Sequence, residues 1–138
     1  MTSPAPGVPE GYHTVCPYLI VPDGDRILRF MKDAFGAAER EVHRTPEGGI
    51  MHAEVRIGDS VVMLGEAKDG WTGFKAMIHL YMPDVDGVFA RAVEAGGTPV
   101  REVSTQDYGD RTGGLEDPAG NQWWIATRVA ERGSGDDA

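Results

Sequence analysis

The sequence matches itself at an offset of 61 residues. Pro22, Asp23 and Asp25 fall on Pro83, Asp84 and Asp86; Leu19, Ala34 and Gly36 fall on Leu80, Ala95 and Gly97; and Arg40-Glu41-Val42 falls on Arg101-Glu102-Val103. A chain that carries one unit twice must adopt an arrangement that serves both copies. At about fifty residues neither copy buries enough apolar surface alone, so the two share one domain or pair with a second chain. The expected ordered part is a single domain over residues 13–128, with copies at 13–66 and 75–128 joined by a loop at 67–74. Residues 1–12 hold Pro4, Pro6 and Pro9 with little to pack, and residues 129–138 are mainly glycine, serine and acid. Both ends are expected to be disordered tails.

The net charge is −9, and no run of Lys or Arg gathers against that background. A nucleic-acid partner is therefore not expected. No apolar stretch has the length of a membrane span, and no charged head precedes one, so neither a membrane partner nor a signal peptide is expected. Cys16 is the only cysteine, which excludes an intrachain disulfide and leaves the cytoplasm as the default compartment.

Each copy reads as strand, helix, then three strands. Thr14 to Val21 alternates, with Val15, Leu19 and Val21 on one face and Cys16, Tyr18 and Ile20 on the other; Met77 to Met82 is its counterpart. Ile27, Phe30, Met31 and Ala34 then follow at helical spacing, capped by an upstream Asp and stopped at Gly36. Val85, Val88, Phe89 and Ala92 repeat the pattern and end at Gly96-Gly97. A strand near Glu39 to Arg44, or Pro99 to Val103, leads into a hairpin. The hairpin spans His52 to Leu64 in the first copy, turning at Gly58-Asp59 in a type II′ turn, and Arg111 to Thr127 in the second, turning at 117–120. The fold class is α+β: two βαβββ repeats forming a concave, partly open mixed sheet.

A two-residue turn pairs Ile57 with Ser60, Val55 with Val62 and Ala53 with Leu64, which sends these residues to the helix-covered face. The opposite face receives His52, Glu54, Val61 and Met63. By the same parity it holds Cys16 and Tyr18, then Met77, His79 and Tyr81, then Gln122 and Trp124. A sheet surface carrying histidines, a glutamate and aromatics points to a cavity rather than to packing alone.

Paired βαβββ units, the helix end Ala34-Phe35-Gly36-Ala37, the segment Asp84-Val85-Asp86 and the closing DPxGNxW stretch from Asp117 to Trp123 resemble the vicinal oxygen chelate superfamily. That is the group of glyoxalase I, bleomycin resistance proteins and extradiol dioxygenases. The resemblance covers about Thr14 to Thr127. In metal-dependent members it implies four His, Gln or Glu ligands from the first and last strand of each unit. Counting from the motifs and from the repeat places those positions at Cys16, Met63, Met77 and Trp124. Thioether sulfur is soft and the indole nitrogen has no lone pair to give, so a hard cation finds at most one donor. The expectation is no metal and no other cofactor, and a pocket lined by two thioethers and an indole that grips a flat organic molecule; the alternative is a collapsed barrel filled by those side chains. The resemblance also implies a homodimer that completes the cavity.

Several residues carry two readings each. His52 and Glu54, with His79 approaching from the second copy, form an acid and base group, a polar anchor or a rebuilt metal site, or else a satisfied hydrogen-bond pair. Tyr108 and Arg111 lie in a loop that leads into the last hairpin, where Arg111 clamps a ligand carboxylate or pairs with Asp110 or Glu116. Trp71 and Phe74 form a lid, a dimer contact or ordinary packing. Cys16 is a nucleophile only if a base stands beside it, and a small buried thiol otherwise. The expected function is metal-free binding of an aromatic or hydrophobic compound, in resistance or sequestration. The candidate ligand-binding set is Cys16, Tyr18, His52, Glu54, Met63, Met77, His79, Tyr108, Arg111, Gln122 and Trp124. The alternative is an enzyme, a lyase, isomerase, cyclase or dioxygenase-like protein using Glu54, His52 and His79 as acid and base groups or relocated metal ligands.

Overall fold

The computed structural model describes residues 6–68, 70 and 73–130. The elements are β1 (Tyr18–Val21), α1 (Gly24–Phe35), β2 (Ala38–Arg44), β3 (Ile50–Ile57), β4 (Ser60–Glu66), β5 (Met77–Tyr81), α2 (Val85–Glu94), β6 (Thr98–Thr105), β7 (Asp110–Glu116) and β8 (Gln122–Arg128). They form βαβββ twice, in two four-stranded mixed sheets ordered β1-β4-β3-β2 and β5-β8-β7-β6. The outer first strand of each unit pairs in parallel with its last strand, and the other pairings are antiparallel.

The 61-residue offset is reproduced in the parallel registers. Tyr18 lies opposite Met63 and Leu19 opposite Leu64; His79 lies opposite Trp124 and Leu80 opposite Ile125. It recurs at the helix starts, where the end of the last strand supplies an acceptor: Glu66 takes the Gly24 N–H at 2.9 Å and Thr127 takes the Val85 N–H at 2.9 Å. Asp23 and Asp84 cap the same two helices, accepting from the N–H of Arg26 and of Gly87.

The first hairpin pairs Ala53, Val55 and Ile57 with Leu64, Val62 and Ser60. Gly58 has φ 59° while Asp59 keeps a negative φ, the sign pattern of a II′ turn. The first strand starts at Tyr18, later than the alternation from Thr14 predicts. Pro17 has no N–H to give the ladder and contributes only its carbonyl, to Met63 N–H at 2.9 Å.

α1 buries Ile27, Leu28, Phe30, Met31, Ala34 and Phe35, and α2 buries Val85, Val88, Phe89 and Ala92. The helices pack on each other, and one apolar cluster spans both units. Phe35, at the end of α1, brings its ring to 4.9 Å from fully buried Trp123 on β8. The DPxGNxW stretch is a staple for this junction. Buried Asp117 accepts from the N–H of Ala119 and Asn121 and from the Trp123 indole at 2.9 Å, and Asn121 takes the N–H of Ala76, just before β5. With the core on the helix side, each sheet keeps an opposite, open face.

Candidate functional site: two open sheet faces

On the first sheet, strand parity brings Tyr18, Met63, His52, Glu54, His43 and Glu41 to the open face. Glu54 is only 7% exposed, and both of its oxygens have donors. Oε2 bonds His52 Nε2 at 2.8 Å, and Oε1 accepts from the Tyr12 hydroxyl at 2.5 Å. Burial pushes the Glu54 carboxyl up, but the bonds from His52 and Tyr12 outweigh it, and the group lies below its ordinary value. An ionised carboxylate only accepts, so His52 carries its proton on Nε2; in the neutral imidazole Nδ1 then accepts from the Tyr18 hydroxyl, 3.1 Å away. Burial, followed by the Glu54 charge, raises the Tyr18 phenol. The result is a continuous chain Tyr18, His52, Glu54, Tyr12, with the His43 ring stacked beside His52 at 6.3 Å.

Tyr12 is the contributor that the sequence reading misses, since it falls at the end of the segment expected to be a loose tail. Its ring lies beneath the Arg40 guanidinium at 4.9 Å, and Arg56 donates to the Gly11 carbonyl at 3.0 Å. The bond to Glu54 raises the Tyr12 phenol and keeps it a neutral donor.

The open face of the second sheet is aromatic. The Trp124 indole lies flat over β7, where a Cβ on Gly114 would stand 2.7 Å from the ring. The Arg101 guanidinium covers it at 4.8 Å while donating to Thr112 Oγ1 at 2.5 Å, and the indole N–H donates to Gln122 at 3.0 Å. Met77 is 68% exposed and Tyr81 62%. The His79 ring lies 4.9 Å from Tyr81, whose hydroxyl donates to buried Asp110 at 2.9 Å; Arg128 donates to the other Asp110 oxygen at 2.5 Å.

The structure therefore assembles the candidates as two groups. His79 sits on the second sheet, apart from His52 and Glu54. Among the described residues no group of three or more His, Cys, Asp or Glu side chains is placed to hold a metal ion. The four positions from the motif count do not fit a hard cation either. Met63, Met77 and Trp124 bring thioethers and an indole, and the Cys16 thiol donates to the His13 carbonyl at 3.4 Å. Arg111 stands on the helix side, gripping Asp86 of α2 at 2.9 and 3.0 Å and Thr105 at 3.0 Å, so its fork does not reach the open face. That pairing lowers the Asp86 carboxyl. Tyr108 lies in the turn between β6 and β7, partly exposed. Phe74, 77% exposed, lines a cleft of about 280 Å³ with Ile20, Ala119 and Asn121 at the join of the two units; Trp71 lies outside the described residues.

This architecture is widely shared among solved structures. TioX from Micromonospora sp. ML1 superposes with a TM-score of 0.73 at 22% identity, covering 83% of this chain and 98% of its own. A glyoxalase/bleomycin resistance protein/dioxygenase family enzyme from Burkholderia phytofirmans PsJN gives 0.69 at 19% identity, covering 83% and 97%. In sequence, the uncharacterized protein Mb0911c of Mycobacterium bovis is 36% identical over 126 residues, covering 83% of each chain. The uncharacterized protein Rv0887c of Mycobacterium tuberculosis is also 36% identical, with 83% of this chain and 74% of its own covered. The family model matches residues 12–125, from the docked Tyr12 to the core of β8, and the chain belongs to the Glyoxalase/Bleomycin resistance protein/Dioxygenase superfamily.

Proposed function

We propose that the protein binds a small aromatic or hydrophobic compound on its open sheet faces without a metal ion, in the cytoplasm, as a homodimer, with sequestration or resistance as the use. The observation that carries this reading is the aromatic shelf of the second sheet. Trp124, held between Gly114 and the Arg101 guanidinium and flanked by exposed Met77 and Tyr81, brings an indole edge, a thioether and a phenol ring where metal-dependent relatives need hard donors. Exposed apolar side chains gathered on one face favour a ligand or a partner, and a second copy covering this face would enclose the compound. Native mass spectrometry of the purified protein, with neither metal nor chelator added, tests the reading. A dimer carrying an organic adduct and no metal increment supports it, and a stoichiometric divalent ion that survives desalting overturns it. Trp124→Ala is expected to weaken binding of the adduct about tenfold or more.

A second reading draws on the hydrogen-bonded chain of the first sheet. Glu54 orients His52, and His52 accepts from the half-exposed Tyr18, an order of carboxylate, imidazole and hydroxyl suited to acid and base catalysis. Glu54→Gln separates this reading from binding on the second sheet: a protein that binds there keeps most of its affinity, whereas an enzyme loses turnover by about two orders of magnitude or more.

A further inference from the structure

Arg40 and Arg101 hold matching places in the two copies, and each covers an aromatic ring at nearly the same distance, 4.9 and 4.8 Å. In the second sheet the ring is that of Trp124. In the first sheet the matching residue is Met63, and the ring is brought in by Tyr12 from the segment preceding β1. The two side-chain interactions that hold the Tyr12 ring are ones that a free phenol can make: its hydroxyl donates to Glu54 Oε1 and its face meets a guanidinium. The segment is otherwise tied by the Arg56 bond to the Gly11 carbonyl, and Tyr12 is no member of the apolar core. Its release takes no side chain out of that core.

We propose that Tyr12 is an internal occupant of a phenol-binding site on the first sheet, displaced by a phenolic ligand that places its hydroxyl on Glu54 and its ring beneath Arg40. This names the ligand class for the aromatic-binding reading and rests on it. The selectivity comes from Glu54. One oxygen is committed to His52, and among the described residues the other accepts only from the Tyr12 hydroxyl, so departure of Tyr12 removes that oxygen's protein donor and opens the place the phenol filled. A carboxylate oxygen favours a charge-assisted O–H bond, so an aromatic ring that takes the vacated place is held best when it brings a hydroxyl, and one without it covers the oxygen unpaired. A site built around such a bond rejects the analogue that lacks it.

Calorimetric titration of p-cresol, 4-methylanisole and toluene into the full chain, Tyr12→Phe and Tyr12→Ala tests the proposal. Removing an occupant raises apparent affinity by the fraction of sites it had closed. p-Cresol is expected to bind Tyr12→Ala about tenfold or more tightly than wild type, with Tyr12→Phe between them because it keeps the ring and loses the hydroxyl. It is also expected to bind at least about tenfold more tightly than the ether or toluene. In wild type it should speed amide exchange across residues 9–16. Equal affinity of wild type and Tyr12→Ala for p-cresol, or equal affinity for p-cresol and toluene, overturns the proposal. Aromatic binding on the second sheet then still stands if Trp124→Ala lowers the measured heat. If none of the three compounds binds any variant, the proposal and the aromatic-binding reading fall together.

Discussion

On the first sheet the residue opposite Met63 is Glu54; on the second the residue opposite Trp124 is Gly114. The two copies share strand order, register and helix caps, yet at this matched pair they are built in opposite senses. A flat indole lies on a sheet only where the strand beneath has no side chain, and Gly114 supplies that bare backbone. A nearly buried carboxylate needs donors, and the first sheet supplies them from His52 and Tyr12, where the second has Thr112 in the place of His52. The two solutions exclude each other at one position. Duplication thus gives one scaffold a polar face and an aromatic face.

Exchanging the two solutions is expected to have the largest effect. Gly114→Glu puts a Cβ at 2.7 Å from the Trp124 ring, with a carboxylate behind it and no imidazole to receive it. The indole is forced off the sheet, and the variant should lose about 2–4 kcal/mol in urea denaturation, with a change in tryptophan emission. A loss below about 0.5 kcal/mol means that the indole does not rest on Gly114.

Glu54→Gln comes next, at about 1–2 kcal/mol, because both of its hydrogen bonds lose their charge assistance. Its sign with pH is fixed by the direction of the shift. The folded carboxyl is depressed, so its contribution is complete above the unfolded carboxylate pKa and fades as pH falls through and below the folded value. The urea midpoints of wild type and variant should differ at neutral pH and converge below about pH 4, near the reference carboxylate range. A gap that is unchanged at low pH rules out the ionised form as the source.

The strand parity behind this contrast is legible in the sequence, because it rests on period, but the matched pair is not. The 61-residue offset carries Glu54 to Leu115, and the longer turn of the second hairpin brings Gly114 opposite Trp124 instead. The alternation around Gly58-Asp59 fixes which side chains of β3 and β4 meet, and the 61-residue match carries the β1 and β4 register to β5 and β8. The fold follows from the same two signals. The sites where residues from distant segments meet are harder to see. Nothing local in Gly11-Tyr12 announces a docking segment, since its proline-flanked composition is that of a tail and its partners Glu54, Arg40 and Arg56 are 28 or more residues away. Arg111 shows the same limit from the other side. Its strand parity sends it to the helix, where Asp86 waits 25 residues upstream, while its neighbours Asp110 and Glu116 in sequence point to the opposite face. Arg40 and Arg101 were visible as a repeated pair, but their common task depends on rings that come from unrelated parts of the chain.

The smallest expected effect is also the most direct check on that common task. Arg101→Ala removes a cation from the face of an indole that is part of the sheet, and should cost about 0.5–1 kcal/mol, the usual worth of such a contact at an exposed site. Arg40→Ala removes the same contact from a ring that belongs to a docked segment. The global urea midpoint should stay where it is, because the segment can leave without opening the core, while amide exchange in residues 9–16 quickens. If both substitutions lower the midpoint equally, Tyr12 is as much a part of the folded unit as Trp124, and the first face is closed for structural reasons. If only Arg101→Ala does so, the first face is occupied by a group free to be exchanged.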